Sequence, residues 1–260
     1  MKAYNAKDIR NIAIAGHSGR GKTTLAEAML FLAKATDRLG RVADGNTVLD
    51  FDSEEKRRKS SVSSAIAALE WDNTKLNIID APGLFDFEGG AAEAVRAAEA
   101  VLIVTSAGSG VDVGTEKAFR AAEKKGAAKF FAITKTDSDH RNFYKTFDAL
   151  KEVYGNKLCP TIIPYMEGNI TKCYVNLMTG MAFSYDENGK ATKVPVPEDS
   201  VIEEMTSAFM EAVATTDDAL MEKFFEQGSL TEDEMREGIR KGLITRSIYP
   251  VFCVSALRDM

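Results

Sequence analysis

The sequence predicts an α/β fold, in which a mostly parallel sheet is flanked by helices and an α+β subdomain is inserted. The first observation is that short apolar runs alternate with helical stretches, which is typical of parallel strands joined by helices. The second is a long segment of different character between the fourth and fifth apolar runs. The runs lie at 9–16, 76–80, 100–107, 129–135 and 249–256, and the helical stretches at 22–36, 91–99 and 114–125.

The first apolar run ends in glycine, and the helical stretch after it carries Leu25, Met29 and Leu32 at helical spacing. A strand, a glycine-rich turn and a helix are therefore expected at the start of the chain. Residues 37–60 are polar and have no sustained apolar period, so we expect a long mobile loop there. Its basic run at 56–59 is typical of a solvated loop, and contact with RNA phosphates is the functional alternative.

The long segment is predicted to be an α+β subdomain at 139–245, inserted into a domain formed by 1–138 and 246–260. It begins with an amphipathic stretch and continues with short strand-like pieces around a hairpin turn at 186–190. It ends in two helices, each marked by a capping box. The boxes are Ser200 with Glu203 and Thr231 with Glu234.

The composition is that of a folded globular protein, because 45% of the 260 residues are hydrophobic and 28% are charged. The formal charge of −6 disfavours attraction to nucleic acid by net charge alone. Cys159, Cys173 and Cys253 form no CxxC pair, which argues against a disulfide framework and a structural zinc site. No apolar run approaches the length of a membrane span. We therefore expect a cytoplasmic protein with no membrane contact and no specific DNA binding.

The turn after the first strand carries the pattern GxxxxGK[ST], because residues 16–24 read GHSGRGKTT. Glycines let the backbone amides of such a turn converge on phosphate oxygens, and the helix start and Lys22 add positive charge. Thr23 would offer its hydroxyl to Mg²⁺. The turn predicts a site for nucleotide phosphates, and the alternative is a glycine-rich turn with an incidental lysine.

The second motif, DAPG at 80–83, comes directly after the strand LNIID. Asp80 would then stand at the carboxyl end of a strand and hold Mg²⁺, often through water. The amide of Gly83 could contact a γ-phosphate, and because hydrolysis removes that contact, the segment after it could act as a switch. Alone, DAPG would be interpreted as a plain turn.

The third and fourth motifs, TKTD at 134–137 and the pair Ser255 and Ala256, each follow a strand. Asp137 could accept hydrogen bonds from the N1–H and 2-amino groups of guanine, which adenine does not present, while the stem of Lys135 covers the ring. Ser255 and Ala256 would offer amides to the guanine carbonyl oxygen. A site built on such bonds rejects other bases by several powers of ten.

These motifs, in this order, resemble those of the nucleotide-binding domain of translation elongation factor G and its paralogues. The resembling segments are GHSGRGKTT, VADGNTVLDFD, NIIDAPGLFDF, AITKTD and PVFCVSAL. The insertion between Asp137 and Ser255 is similar to that family's extra subdomain, which compact small GTPases and elongation factor Tu lack. The resemblance implies a P-loop GTPase fold, binding of GTP or GDP with Mg²⁺, GTP hydrolysis, and a switch role on the ribosome. It covers the amino-terminal part of a family member, so we expect a fragment of a longer protein.

The resemblance also implies the site residues. Thr23, Ser61 and Asp80 are expected to hold the metal, and Lys22, Ser61 and Gly83 to serve hydrolysis. The nucleotide is expected to contact Gly16, His17, Ser18, Gly19, Arg20, Gly21, Lys22, Thr23, Thr24, Asp80, Gly83, Thr134, Lys135, Asp137, Ser255, Ala256 and Leu257.

Three positions depart from the family pattern. Leu84 stands where the family has a histidine that orients the attacking water; losing such a group costs about two to four powers of ten in rate, so slow hydrolysis is expected. Thr134 replaces the usual Asn, so affinity is expected to fall while the guanine preference carried by Asp137 persists. Ser61 replaces a Mg²⁺-binding threonine and keeps the hydroxyl, although neighbouring serines offer other alignments.

Two alternatives stay open. A GTP-binding module with negligible hydrolysis would work by nucleotide occupancy alone, and Leu84 favours this hypothesis. A P-loop kinase acting on a small acceptor would bind ATP as well as GTP, and TKTD argues against it.

Overall fold

The computed structural model describes residues 2–137, 142–168, 170–186 and 189–256. They form two compact units, one made of residues 2–105 and 112–127 and the other of residues 106–111 and 128–256.

The first unit is a sheet with helices between its strands. Its sheet order is β2-β3-β1-β4, in which β3, β1 and β4 run parallel and β2 pairs antiparallel with β3. The elements are β1 (Ile9–Ala15), α1 (Lys22–Leu32), α2 (Ser53–Arg58), β2 (Ala65–Trp71), β3 (Thr74–Asp80), α3 (Glu88–Ala97), β4 (Ala100–Ser106) and α4 (Val113–Lys125).

The second unit continues the alternation and then changes to a meander. Its order is β5-β10-β6-β7-β8-β9, with β5, β10 and β6 parallel and β6 to β9 antiparallel. The elements are β5 (Ala128–Thr134), α5 (Phe143–Tyr154), β6 (Leu158–Glu167), β7 (Ile170–Asn176), β8 (Met181–Tyr185), β9 (Ala191–Val194), α6 (Ser200–Ala214), α7 (Asp218–Gln227), α8 (Glu232–Thr245) and β10 (Tyr249–Cys253).

The parallel strands are buried because their sequences are continuous apolar runs. Ile14 in β1, Ile78 in β3 and Val101 in β4 are each 0% exposed, as expected where helices cover both faces of a parallel sheet. The predicted α/β fold class is confirmed. The five apolar runs form β1, β3, β4, β5 and β10.

Two local predictions are wrong. The stretch 37–60 was expected to be a loop, but it contains α2, which begins at a capping box between Asp52 and Glu55. This D-x-x-E spacing is a helix-start signal even where the helix is too short to show an apolar period. The box expected at Ser200 is also displaced, because the side chain of Asp199 caps α6 instead.

Other local predictions in the second unit are confirmed. Thr231 and Glu234 form the expected capping box of α8. β8 and β9 pair antiparallel around the predicted turn at 186–190, whose two central residues, 187 and 188, lie outside the described part. The division into a domain formed by 1–138 and 246–260 and a subdomain inserted at 139–245 stays a prediction.

The three cysteines lie in the second unit and are all buried as free thiols. Burial raises the pKa of Cys159 and of Cys253 to about 12, and it raises the pKa of Cys173 as well. Among the described residues, no helix combines the length and the apolar character that crossing a bilayer would need.

Candidate nucleotide-binding site

The glycine-rich turn of the first unit joins the end of β1 to the start of α1. Gly16, Gly19 and Gly21 have φ angles of 141°, 73° and 92°, a region that favours glycine. At Gly16 a Cβ would also lie 2.3 Å from the carbonyl oxygen of Val104. The turn therefore requires glycine for two reasons, backbone conformation and close packing, and it leads directly into the positive end of α1.

Lys22, the first residue of α1, is held under this turn. Its side chain is buried, and Nζ donates a 2.9 Å hydrogen bond to the carbonyl oxygen of His17. Burial lowers the pKa of Lys22, against the opposing attraction of Asp80. A Cβ on Gly83 would lie 2.3 Å from the same Nζ, so the DAPG segment reaches the turn, as the sequence predicts.

Four buried residues form two adjacent hydroxyl–carboxylate hydrogen bonds beside Lys22. Thr23 Oγ1 donates to Asp80 Oδ2 at 2.6 Å and lies 3.2 Å from Ser61 Oγ. Ser61 Oγ in turn donates to Asp50 Oδ1 at 2.7 Å. The structure thus brings together the three residues expected to hold a metal, and it adds Asp50.

These residues fit a magnesium ion. Their donors are hydroxyl and carboxylate oxygens, which Mg²⁺ prefers. Among the described residues, Asp80 Oδ1 is buried without a hydrogen-bond partner, and burial raises the pKa of Asp80 to about 7 even though Thr23 and Lys22 oppose the shift. A cation beside Asp80 would supply the missing partner. In the same described part, His, Cys, Asp and Glu side chains form no group of three or more that could hold a metal.

The other face of the turn is fixed by Asp112, the N-cap of α4. Arg20 Nε donates to Asp112 Oδ2 at 2.9 Å, and Asp112 Oδ1 accepts from the amide and hydroxyl of Thr115. His17 Nδ1 lies 4.0 Å from Asp112 Oδ1, and the His17 ring packs edge-on against Phe85 at 5.6 Å. The imidazole is therefore part of the packing under the turn.

Leu84 lines a cavity of about 90 Å³ between α3 and α4. Much of its wall consists of small apolar side chains such as Ala91 and Ala118. At its rim, Lys117 Nζ bonds Glu88 Oε2 at 2.8 Å and lies 4.7 Å from the centre of the Phe85 ring. The side chain of Leu84 thus joins an apolar wall and offers no group that could orient water.

Two segments that carry predicted base-binding residues follow neighbouring strands of the second unit. β5 and β10 are parallel neighbours, and the amide of Val254 donates to Ile133 O at 3.0 Å, so TKTD and the segment after β10 leave the same sheet edge. Thr136 Oγ1 donates to Val254 O at 3.4 Å. Lys135 has a φ of 58°, which turns the chain sharply between the buried Thr134 and Thr136.

Ser255 and Ala256 follow directly and are buried, Asp137 is half-buried, and Leu257 lies outside the described residues. Of the remaining expected contacts, the amide nitrogen of Ser18 lies 2.7 Å from a Cβ placed on Gly83, and Thr24 is half-buried on α1.

Sequence reasoning missed three buried carboxylates around the turn, at Asp50, Glu27 and Glu55. Glu55 was detectable from its capping-box spacing. Glu27 stands four residues after Thr23, the spacing that places two side chains on one helix face, but an acidic residue in an apolar helix usually indicates a solvent face. Asp50 lies in VADGNTVLDFD, one of the segments that carry the family resemblance, and that resemblance is the signal that could have found it.

The mostly parallel sheet has a glycine turn and a buried lysine after β1, and an aspartate at the end of β3 that accepts a hydrogen bond from a threonine at the start of α1. This arrangement defines a P-loop nucleotide-binding domain. Comparison with known proteins gives the family. The family model for the elongation factor Tu GTP binding domain matches residues 7–260 of this chain. The chain therefore belongs to the family of elongation factor Tu GTP-binding domains.

The similar proteins agree with that assignment. The elongation factor G-like proteins of two Mycobacterium tuberculosis strains, CDC 1551 / Oshkosh and ATCC 25618 / H37Rv, are each 33% identical over 249 residues, which is 95% of this chain and 34% of theirs. A crystal structure of a Thermus thermophilus protein superposes with a TM-score of 0.89 at 32% identity, covering 96% of this chain and 38% of that one. The resemblance to elongation-factor-G-like proteins is confirmed, and this chain spans about a third of the curated relatives it matches.

Proposed function

We propose that this chain binds GTP and GDP with Mg²⁺ and acts as the ribosome-linked switch of an elongation-factor-G-like translational GTPase. The observation that supports the proposal best is the close approach of Thr23, Ser61 and Asp80, in which Thr23 Oγ1 lies 2.6 Å from Asp80 Oδ2 and 3.2 Å from Ser61 Oγ. It joins three segments that are far apart in the chain, and each supplies the oxygen that a metal-bound triphosphate needs. The ribosome would be engaged through the full-length protein.

The first unit would hold the phosphates. Lys22 and the amides of the glycine turn would bind the phosphate oxygens, and Lys22 would stabilise the charge that develops during transfer. Thr23, Ser61 and Asp80 would hold Mg²⁺, which neutralises phosphate charge when bound. The amide of Gly83 would contact the γ-phosphate. Hydrolysis would remove this phosphate, and the segment after Gly83 would then be released.

The second unit would supply base recognition. Asp137 would accept the two hydrogen bonds that distinguish guanine, Lys135 would cover the ring, and Ser255 and Ala256 would offer amides to its carbonyl oxygen. Thr134 would give a weaker support than the usual Asn. These roles rest on the paired strand ends of β5 and β10 and on the family, which is named for GTP binding.

One observation weakens the proposal that this chain hydrolyses GTP. Leu84 lies in an apolar wall, so a second candidate function is a GTP-binding module that works by occupancy with negligible turnover. Under the first function Ser61 and Gly83 would still orient the reacting groups, and the rate would be low without an acid–base side chain.

Two measurements test the proposal. Competition of GTP, GDP and ATP against a fluorescent GDP should show guanine nucleotides bound with ATP at least about a thousandfold weaker; equal affinity for ATP and GTP would instead support a P-loop kinase. Single-turnover GTP hydrolysis by the full-length protein should be stimulated by ribosomes. Tight binding without stimulation would select the occupancy module.

A further inference from the structure

Glu27 is a buried carboxylate on the same face of α1 as Thr23. Its side chain is 0% exposed, and the four-residue spacing places the two side chains one above the other. Burial raises the pKa of Glu27. A buried carboxylate is costly to maintain unless it is hydrogen-bonded, so its partners are informative.

The partners of Glu27 are two consecutive backbone amides of the segment that precedes Asp50. Oε1 accepts from Val48 N at 2.8 Å and from Leu49 N at 3.0 Å. The next residue, Asp50, accepts from Ser61, which reaches back to Thr23. One face of α1 therefore contacts this segment twice: Glu27 binds the amides before Asp50, and Thr23 lies beside Ser61, the partner of Asp50.

The second oxygen of Glu27 shows how tightly this arrangement is enclosed. Oε2 is buried without a hydrogen-bond partner among the described residues. A Cβ on Gly40 would lie 2.2 Å from Oε2 and 2.9 Å from the Cα of Thr47. Gly40 thus lets segment 40–50 lie directly against the carboxylate.

The residues that follow Ser61 are held in the same manner, by a second buried carboxylate. Glu55 Oε1 accepts from the amides of Val62 and Ser63, at 3.0 and 3.2 Å, directly after Ser61. Two buried carboxylates, each accepting a pair of adjacent amides, therefore enclose the Asp50–Ser61 hydrogen bond. Only Glu27 does so from the helix that also carries Lys22 and Thr23.

We propose that Glu27 is a positioning residue that sets Asp50 and Ser61 relative to Thr23 and so prepares the oxygen donors for Mg²⁺. The inference rests on the proposed function of this site. Loss of the Glu27 acceptor frees segment 48–50, which lowers affinity for Mg²⁺. Guanine recognition by Asp137 does not depend on it, so binding of nucleotide in the absence of Mg²⁺ is preserved.

The test compares Glu27→Met, which keeps the length of the side chain but removes the acceptor, with Glu27→Gln, which keeps a carbonyl oxygen for both amides. Hydrogen exchange of Val48 and Leu49 is measured by NMR. In Glu27→Met each amide loses one hydrogen bond to a charged group, so we expect each to exchange about tenfold faster than in wild type. In Glu27→Gln most of the protection against exchange should be restored.

The second readout is release of a fluorescent GDP as a function of Mg²⁺ concentration. Glu27→Met should need several-fold more Mg²⁺ for half-maximal slowing of release, with the rate in excess EDTA unchanged. Glu204→Met, at an exposed position of α6, is the matched control. Gly40→Ala, which presses on Oε2 without altering α1, should reproduce the Mg²⁺ effect and replaces Glu27→Met if that variant does not fold.

Wild-type exchange and Mg²⁺ dependence in both Glu27→Met and Gly40→Ala would overturn the inference, and so would a Glu27→Gln variant as impaired as Glu27→Met. If wild-type protein bound no guanine nucleotide, the proposed function would fail instead. The exchange measurement would then still decide whether Glu27 holds the two amides.

Discussion

Lys22 Nζ lies where a side chain at residue 83 would begin, 2.3 Å from the Cβ that any other amino acid would place on Gly83. The same Cβ would lie 2.7 Å from the amide nitrogen of Ser18 and 2.9 Å from the carbonyl oxygen of Gly16. Residue 83 therefore has to be glycine because it lies so close to the glycine-rich turn, although its φ is not in the left-handed region.

Replacing Gly83 with alanine should displace Lys22 or open the turn. We expect affinity for GDP to fall by about 5- to 150-fold, since overpacking of a closely packed site costs about 1–3 kcal/mol. Titration with fluorescent GDP measures the loss. Gly89→Ala is the control, because no atom lies within 4 Å of a Cβ there; equal affinities for the two variants would show that the close approach does not matter.

Replacing Leu84 with histidine should raise ribosome-stimulated GTP hydrolysis by the full-length protein. An imidazole at this position supplies an acid–base group that can orient water, which contributes about two to four powers of ten. Single-turnover rates with ribosomes measure the effect. Leu84→Met keeps an apolar side chain and should leave the rate low, whereas an unchanged rate in Leu84→His would show that hydrolysis does not depend on residue 84.

Replacing Asp137 with asparagine should change base preference. In the proposed site the Asp137 carboxylate would accept two hydrogen bonds from guanine, one of them from its 2-amino group. An asparagine amide would present a donor in place of one acceptor, which suits a base with a carbonyl oxygen at position 2, such as xanthine. We expect affinity for GDP to fall by at least about a thousandfold and affinity for xanthosine diphosphate to rise. Asp148→Asn, exposed on α5, should bind GDP as wild type does; unchanged GDP binding by Asp137→Asn would move the base site elsewhere.

The ion pair of Glu234 should make part of the stability pH-dependent. Its hydrogen bond from Lys223, followed by those from Thr231, lowers the pKa of Glu234 to about 2. Because the folded pKa lies below the unfolded one, this stabilisation is complete above about pH 4.5 and is lost as the pH falls towards 2. The urea midpoint of Glu234→Gln should therefore lie below that of wild type at about pH 6, and the difference should shrink at about pH 3. A constant difference would assign the effect to packing.

The glycine turn and the strand ends could be predicted from the sequence because each is encoded locally, whereas the nucleotide contacts stay a prediction. GHSGRGKTT contains its own glycines, lysine and threonine, and DAPG and TKTD each follow an apolar run that could only be a strand. Glu27 and Asp50 could not be found in this manner. Their roles depend on burial and on partners 21 residues away for Glu27 and 11 residues away for Asp50, which no local spacing records.

Ser61 lies between these cases. The family resemblance favours Ser61 but leaves alignments to neighbouring serines open, and tertiary contacts separate them: Ser61 bonds Asp50, Ser63 bonds Glu55 and Ser64 bonds the carbonyl oxygen of Gly90. Metal binding by Ser61 stays a prediction, and the position of Ser61 beside Thr23 favours it over the neighbouring serines.

The burial of all three native thiols has a practical consequence for spectroscopy. Thiolates, not thiols, react with maleimides, and a pKa near 12 at Cys159 and Cys253 leaves almost no thiolate at neutral pH. A single cysteine introduced at an exposed position of α2 should therefore take up a dye selectively in the folded protein. Movements of this helix during a nucleotide cycle could then be followed by energy transfer without first removing the native cysteines.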